Sequence, residues 1–547
     1  ATAKPPSGIL SGNANQYGDF DECLAVDGAV RGKYCLASLQ VSAERRIFSL
    51  LYGQGPERHE FPHTKMGHRL PRYSSLLWGV CIPSSCSSFD LEMCAVGSST
   101  ILVLTVDISS RAFFLAILLL LSLGTMLDDG KEGSTNFEKL LNGFSLKRNF
   151  KKLFDLSETS DKVKGVDAMR GINMITLLLA HKSMAMAHNP YVNKTTYSAV
   201  FGMPWAVIGR SAILYTDSFL YLSGFLNAHN LLKELDRKGT IDIKERLISR
   251  WLFPLFLSLM LFCTYILPDV NNGPQWNLVV EEHSRVCVKN MWKSFLFIHN
   301  YFGFEDMCLT HTHQLGIDMQ LYVATLPLML LLWKSRRLGL ALMMGIAVGS
   351  TVLRYLAIHW YDISMFVYYG ISVNKLLDAA RYSYILPTHR ATIYLIGVLM
   401  AFVLRSKKST SLTDVRTFFL LGHFFAVGLF TLISPYQMGL EGYKYEHLPA
   451  ALFAAFSPVL WGLAMGIGHW AICNDYAGKF IWRLGFLNKI AYGVYLTQFP
   501  IFFYNVGIQR HSEYYSPLLL VCTKKLMADV RHLVGYCQCN VSRDLSA

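Results

Sequence analysis

Charged residues are scarce in this chain of 547: Asp, Glu, Lys and Arg make up 16%, against 52% hydrophobic residues. That balance excludes a string of water-soluble domains as the first reading and points to lipid as the main solvent. Several signatures are missing altogether. There is no nucleotide-binding glycine loop, no metalloprotease helix and no obvious internal repeat. Zinc spacings are missing too, because Cys81 and Cys86 have no second close pair and His311 and His313 cannot share one helical face. No metal and no cofactor is expected. The formal charge of +13 comes without a basic cluster standing clear of the apolar runs, so no nucleic acid partner is expected. The chain opens on Ala1 without a charged-then-apolar leader, which reads as a start beyond a signal peptide or inside a longer chain.

What is present is unevenly spread. Cys23, Cys35, Cys81, Cys86 and Cys94 crowd a polar, turn-rich N-terminal part, while Cys287 and Cys308 share one later loop. Such clustering suits an oxidising compartment, with disulfides in the first part and a Cys287–Cys308 bridge in the loop. An odd five leaves one N-terminal cysteine without a local partner.

Apolar stretches near the ~20 residues that a bilayer demands recur at 101–127, 166–187, 205–229, 251–268, 314–333, 338–360, 390–404, 416–434, 450–472 and 487–506. The segments between them alternate in charge. Lys147, Arg148, Lys151, Lys152, Lys162 and Lys164 open a basic set. It continues through Lys233 to Arg250, Lys334 to Arg337, Arg405 to Lys408, and Lys479 with Arg483. Basic loops face the cytoplasm. The other set holds the Cys287/Cys308 loop and the glycosylation sequon Asn193-Lys194-Thr195, which suit the lumenal or extracellular side.

The expected fold is therefore an all-α polytopic membrane bundle of about ten to eleven transmembrane helices with a small disulfide-bonded N-terminal domain outside. Residues 1–98 form that domain, 99–165 the first span and a basic cytoplasmic linker, 166–520 the main membrane domain, and 521–547 an atypical polar tail. Pro517 to Cys522 is too short an apolar run to cross ~30 Å of hydrocarbon. Endoplasmic reticulum and plasma membrane are both open as the home membrane, and the oligomeric state is open too.

The sharpest constellation is Val166-Asp167-Ala168-Met169-Arg170 with His181 in the same apolar run. Their separation rises about 16 Å and turns about 1100° in a helix, so Arg170 and His181 share a face. With Arg170 at the cytoplasmic end, His181 falls near the bilayer midplane, where an ionisable side chain is a functional candidate. A desolvated, neutral imidazole suits a general base that takes the proton of an attacking hydroxyl. Arg170 suits phosphate or carboxylate.

The next span stacks Arg210, Asp217, Tyr221 and Gly224 on one face. Asp217 either orients His181 or pairs with Arg210. Ser223 and Gly224 fit close helix packing better than a nucleophile. Arg246 and Arg250, one turn apart before Pro254, could clamp a donor phosphate or simply anchor the span. Asp318 and Gln320 are placed in a lumenal vestibule on the acceptor side, beyond a loop carrying His299 and Asn300. Tyr492, Tyr495 and Gln498 lie on the surface of the last helix, where ordinary interfacial tyrosines are the simpler reading.

These residues also resemble a known family. Lys4-Pro5-Pro6-Ser7-Gly8-Ile9-Leu10-Ser11-Gly12-Asn13, Asp21-Glu22-Cys23-Leu24, Tyr34-Cys35-Leu36 and Cys81-Ile82-Pro83-Ser84-Ser85-Cys86-Ser87 look like the nose-resistant-to-fluoxetine domain. The membrane part is similar to the acyltransferase-3 superfamily. Arg170 to His181 matches its Arg-(ten residues)-His signature, Leu222-Ser223-Gly224-Phe225-Leu226 its Ser-Gly-Phe element, and Asp318-Met319-Gln320 a loop-to-helix motif of animal members. The resemblance extends to about residue 508. It implies an acyltransferase using a cytosolic acyl-CoA-type donor as substrate, with His181 as catalytic base, Arg170 assisting the donor, and a hydroxyl-bearing or lipophilic small molecule as acceptor. It implies a rival role as well, carriage of lipids or lipophilic drugs. The chain departs from the pattern in the spacing of the Arg pair before Pro254, in Gln498 where many relatives have His, and after residue 520.

Overall fold

A computed structural model gives the fold, and describes residues 2, 12–13, 15–27, 31–40, 75–86, 99–100, 108–130, 135–154, 165–251, 254–406, 414–440, 442–473 and 487–517. Cys94, the tail 521–547 and the basic residues Lys162, Lys164, Lys407, Lys408, Lys479 and Arg483 lie outside the described residues.

In the N-terminal unit, α1 (Phe20–Ala25) starts at Asp19, whose carboxylate accepts the Glu22 N–H at 2.8 Å and so satisfies the first turn. It packs on an antiparallel sheet of order β2-β1-β3, formed by β1 (Gly32–Gln40), β2 (Ser75–Pro83) and β3 (Ser99–Thr100). Tyr34 faces Cys81 across the first pair and Cys35 faces Val80. Side chains alternate along a strand, so Cys81 shares the α1 side with Tyr34 and bonds Cys23, while Cys35 points to the other face. Cys35 and Cys86 accordingly carry free thiols, which corrects their expected place among the disulfides. Burial pushes the Cys35 thiol up, away from the reactive thiolate.

Each of the ten apolar stretches carries a helix: α2 (Ile108–Met126), α3 (Val166–Met186), α4 (Ala212–Lys238), α6 (Pro254–Tyr265), α7 (His313–Lys334), α8 (Arg336–Tyr361), α9 (Pro387–Ser406), α10 (Asp414–Ile433), α11 (His447–Cys473) and α12 (Leu487–Gly507). A shorter helix, α5 (Ile243–Trp251), leads into α6. Among the described residues, four helices are long and apolar enough to cross a membrane, at 310–334, 336–361, 387–405 and 447–473. Shorter apolar runs lie at Phe114–Met126 and Leu255–Tyr265. The expected count of ten to eleven spans goes beyond these four helices and two shorter runs. The helices that carry Asp167, Arg170, His181 and Asp217 include the polar residues of the candidate chemistry.

The bundle is built around α4, where Leu214, Asp217, Leu220, Tyr221, Leu222 and Leu231 are completely buried. Its closest neighbour is α9, and glycine makes that approach possible. A Cβ on Gly224 would lie 2.2 Å from the Tyr394 carbonyl oxygen, and one on Gly397 2.1 Å from that of Tyr221. Helix α4 also packs on α3, α7 and α11, and α3 on α12. Gly239, with φ of 69°, ends α4 in the left-handed conformation just after the basic Arg237 and Lys238.

The Cys287–Cys308 bridge expected in the later loop is present, across a separation of 21 residues. Closing a loop of that length removes unfolded-state entropy worth about 3 kcal/mol. Cys287→Ser is therefore expected to lower thermal stability by that order, and reduction of the wild-type protein, which also opens Cys23–Cys81, to lower it at least as far, read by tryptophan fluorescence.

The N-terminal unit contacts the segment after α12. Arg510 reaches Asp21 at 3.1 Å, its guanidinium lies 4.7 Å from the Phe20 ring centre, and it donates to the Asn272 carbonyl at 2.6 Å. Asn193 lies in the same region and corrects the glycosylation reading. Its side chain is buried, donating to the Tyr515 carbonyl at 3.0 Å and accepting the Tyr515 N–H at 2.7 Å, so no amide nitrogen is presented for a glycan.

Candidate functional site

Two polar clusters line the helices around α3, one near each end of the Arg170-to-His181 segment. The first gathers on Arg250, the last-turn guanidinium of α5. It donates to the Asn227 amide oxygen at 2.7 Å, to Asp318 at 2.5 Å and to the Ser223 hydroxyl at 3.3 Å. Its guanidinium covers the Tyr322 ring at 4.3 Å. Ser223 in turn donates to Asp318, and Asn227 donates to the Tyr394 hydroxyl at 2.6 Å. Arg170 lies within electrostatic range of both Asp318 and Arg250.

This regroups the residues assigned from sequence. Asp318, expected on the acceptor side with Gln320, belongs instead with Arg250. Arg246, expected to clamp a donor beside Arg250, bonds Glu234 through Nε at 2.5 Å. Gly224 serves the α4–α9 approach. Asn227, Tyr322 and Tyr394 were missed, although Asn227 stands one turn beyond Ser223 on the same helical face, the one available signal.

A guanidinium spreads its donors in a planar fork across these three acceptors, a geometry that the compact ammonium of lysine does not reproduce. Arg250→Lys is expected to lower stability by about 2 kcal/mol, the order of a lost charge-assisted hydrogen bond. Thermal unfolding checks it.

The second cluster gathers on His181, which sits less than two turns before Met186 ends α3, midway between the helix centre and its end. Its Nδ1 is 3.0 Å from the Gln498 amide oxygen of α12. The Gln498 amide nitrogen donates to the Tyr495 carbonyl at 3.0 Å, which fixes the amide orientation. Its oxygen can only accept. In the neutral imidazole the proton of His181 therefore rides on Nδ1, and Nε2 holds the lone pair.

The His181 ring packs on Phe499 at 4.7 Å, and on the same phenyl, at 5.0 Å, stacks His311. His311 lies 3.0 Å through Nε2 from the Leu496 carbonyl, leaving buried Nδ1 with no partner. The Tyr495 hydroxyl donates to the His311 carbonyl at 2.5 Å. Beside His311 and Phe499 lies a small cavity of about 30 Å³, lined by Leu267, Val280, His283, His311, Phe499 and Phe503 among others, with His181 outside its lining. Sequence reading had noticed Gln498 without giving it a task, and had weighed His311 only as a metal ligand.

Asp217 takes neither of its two expected partners. It forms an ion pair with Arg390 at 2.8 Å, both side chains completely buried, whereas Arg210 donates to the Gly439 carbonyl at 3.0 Å. Gln320 faces the 297–301 turn, donating to Asn300 at 2.8 Å and accepting from Tyr301 at 3.0 Å. In that turn, burial pushes His299 down to about 4. The unfolded chain then binds the extra proton between about pH 6.5 and 4, so stability is full above that window and falls as pH drops through it. Melting temperatures at pH 7 and 4.5 are expected to show the loss, and His299→Gln to soften it. Among the described residues, no group of three His, Cys, Asp or Glu side chains could hold a metal ion.

Comparison with known proteins bears on this geometry. Residues 163–523 match a family model described as an acyltransferase domain, and residues 1–95 match the N-terminal domain of nose resistant-to-fluoxetine protein. The chain is 22% identical over 606 residues to Nose resistant to fluoxetine protein 6 of Caenorhabditis elegans, spanning 94% of this chain and 72% of that protein. It is 27% identical over 289 residues to Regulator of hypoxia-inducible factor 1 of the same organism, covering 48% of this chain and 55% of the relative. It is 25% identical over 252 residues to a Staphylococcus aureus protein whose name marks it as a candidate O-acetyltransferase, covering 44% and 35%. No solved structure matches the chain.

Proposed function

Because the chain belongs to the acyltransferase-3 family and carries the N-terminal domain of the nose-resistant-to-fluoxetine proteins, we propose that it is a membrane acyltransferase in which His181 is the general base. The family match and the name of the staphylococcal relative support acyl transfer in general. What carries the finer reading is one observation: the hydrogen-bond chain from the Tyr495 carbonyl through Gln498 leaves the lone pair of His181 on Nε2.

An acceptor hydroxyl gives its proton to His181 Nε2 while its oxygen attacks the carbonyl carbon of an acyl thioester. The new C–O bond forms, the C–S bond breaks, and the leaving thiolate takes the proton from the imidazolium. Arg170 serves the anionic part of an acyl-CoA-type donor from the cytosolic side. Arg250, held by Asp318, Asn227 and Ser223, braces that end of the path. The N-terminal domain and the Cys287–Cys308 loop face the lumen or the cell exterior, in the endoplasmic reticulum or plasma membrane.

The test measures His181→Ala in two ways, as transfer of labelled acyl groups in isolated membranes and as uptake of lipophiles by cells. Loss of transfer with the protein still folded supports the enzyme. Loss of uptake, with no acyl turnover by either form, assigns the scaffold to carriage of lipids or lipophilic molecules instead.

A further inference from the structure

A third polar cluster takes no part in the acyl-transfer reading. It lies where the first turns of α4, α7 and α9 meet the last third of α8. Asp217 pairs with Arg390 at 2.8 Å, and Arg354 of α8 lies within electrostatic range of both. Arg354 and Arg390 are each 1% exposed and Asp217 is fully buried. Arg390 is held well, donating to the Thr216 hydroxyl at 3.0 Å and the Tyr384 carbonyl at 3.2 Å. Arg354 is not. All three of its guanidinium nitrogens are buried without a hydrogen-bond partner among the described residues.

The unsatisfied atoms extend around it. Arg390 Nε is a further buried donor with no partner among the described residues; the Asp217 oxygens, which lack a well-directed hydrogen bond despite the short ion pair, Gln314 Oε1 and His313 Nε2 are unpartnered acceptors there. Gln314 joins the same neighbourhood through the Thr216 carbonyl at 3.3 Å, and the His313 ring through Tyr384 at 4.8 Å. Buried polar groups are nearly always paired, and of these orphans the guanidinium donors of Arg354 and Arg390 are the ones an anion can meet.

Charge says what that is. Guanidinium groups stay ionised in proteins, so two of them against one carboxylate leave a single uncompensated positive charge. Water can complete hydrogen bonds but cannot neutralise a charge, and an unpaired buried ion is costly. We propose that Arg354 and Arg390, with Asp217 balancing one of their two charges, form a binding site for one small monovalent anion, held chiefly by Arg354. Single negative charge and small size are the shared chemistry, which chloride and a short carboxylate both supply. The site is independent of the His181 reading, because none of its three charges is hydrogen-bonded to that cluster.

The experiment uses the purified full chain in detergent, with thermal unfolding followed by tryptophan fluorescence. Sodium gluconate, too large for an enclosed site, is replaced stepwise by sodium chloride or by sodium formate at constant ionic strength, which removes screening as a variable. A saturable rise in melting temperature is expected, and the more effective of the two anions identifies the source. Arg354→Met removes the excess charge at similar volume. It is expected to abolish the rise and to melt in gluconate no lower than the wild type, while Arg354→Lys keeps the response. Titration of sodium bromide into the wild-type protein by calorimetry reads the same site without a variant. Melting and calorimetry both indifferent to anions, or an Arg354→Met protein with an undiminished rise, would overturn the proposal.

Discussion

His181→Gln is expected to lower the turnover of acyl transfer by about 10³-fold, within the 10²–10⁴ range that a positioned general base contributes. Glutamine keeps the size and one hydrogen bond to its neighbour but offers no basic nitrogen. The loss should fall on kcat, with the KM for the acyl donor little changed, because the donor's anionic part is met at the Arg170 end. A companion pair separates chemistry from packing. Gln498→Leu removes the acceptor that holds the proton on Nδ1, so the imidazole spends part of its time in the wrong tautomer, and a loss of about tenfold or more is expected. Gln498→Glu keeps an acceptor oxygen at the same place and should retain more activity than the leucine variant. Initial rates with labelled donor, normalised to folded protein, decide. A His181→Gln protein turning over within threefold of wild type would remove the imidazole from the reaction.

The sequence was legible where one element carries its own signal. Apolar runs bounded by basic residues placed a helix at each of the ten stretches, and spacing alone gave the Cys287–Cys308 bridge. Arg170 and His181 could be read as a pair because both lie on α3. Partnerships between elements were not legible. Asp217 pairs with Arg390 and Asp318 with Arg250, each across a stretch of chain with no local periodicity to announce it. Cys35 was misplaced because one step along a strand reverses the face of the sheet, and strand register does not appear in cysteine spacing. The Asn193 sequon failed for a similar reason. A three-residue motif reports the possibility of modification, whereas the Tyr515 backbone that buries the amide comes from the far end of the chain.

The Asp217 pair yields the second large effect, and the neighbouring Arg354 makes it asymmetric. Breaking a buried ion pair by removing one partner costs about 3–5 kcal/mol, because the other charge is left uncompensated. Asp217→Leu leaves two buried guanidiniums with no carboxylate, so a loss at the top of that range is expected. Arg390→Met leaves one carboxylate and one guanidinium, Asp217 and Arg354, within electrostatic range of each other. Its expected loss is smaller, about 2 kcal/mol, chiefly from the lost bonds to Thr216 and Tyr384. The double variant restores the charge count of the wild type and should recover much of the Asp217→Leu loss, with a coupling of about 2 kcal/mol or more. Denaturant or thermal unfolding of the purified protein measures all three. If the two single variants were equally destabilised, Arg354 would have no share in balancing Asp217, and the buried charges would act as one isolated pair.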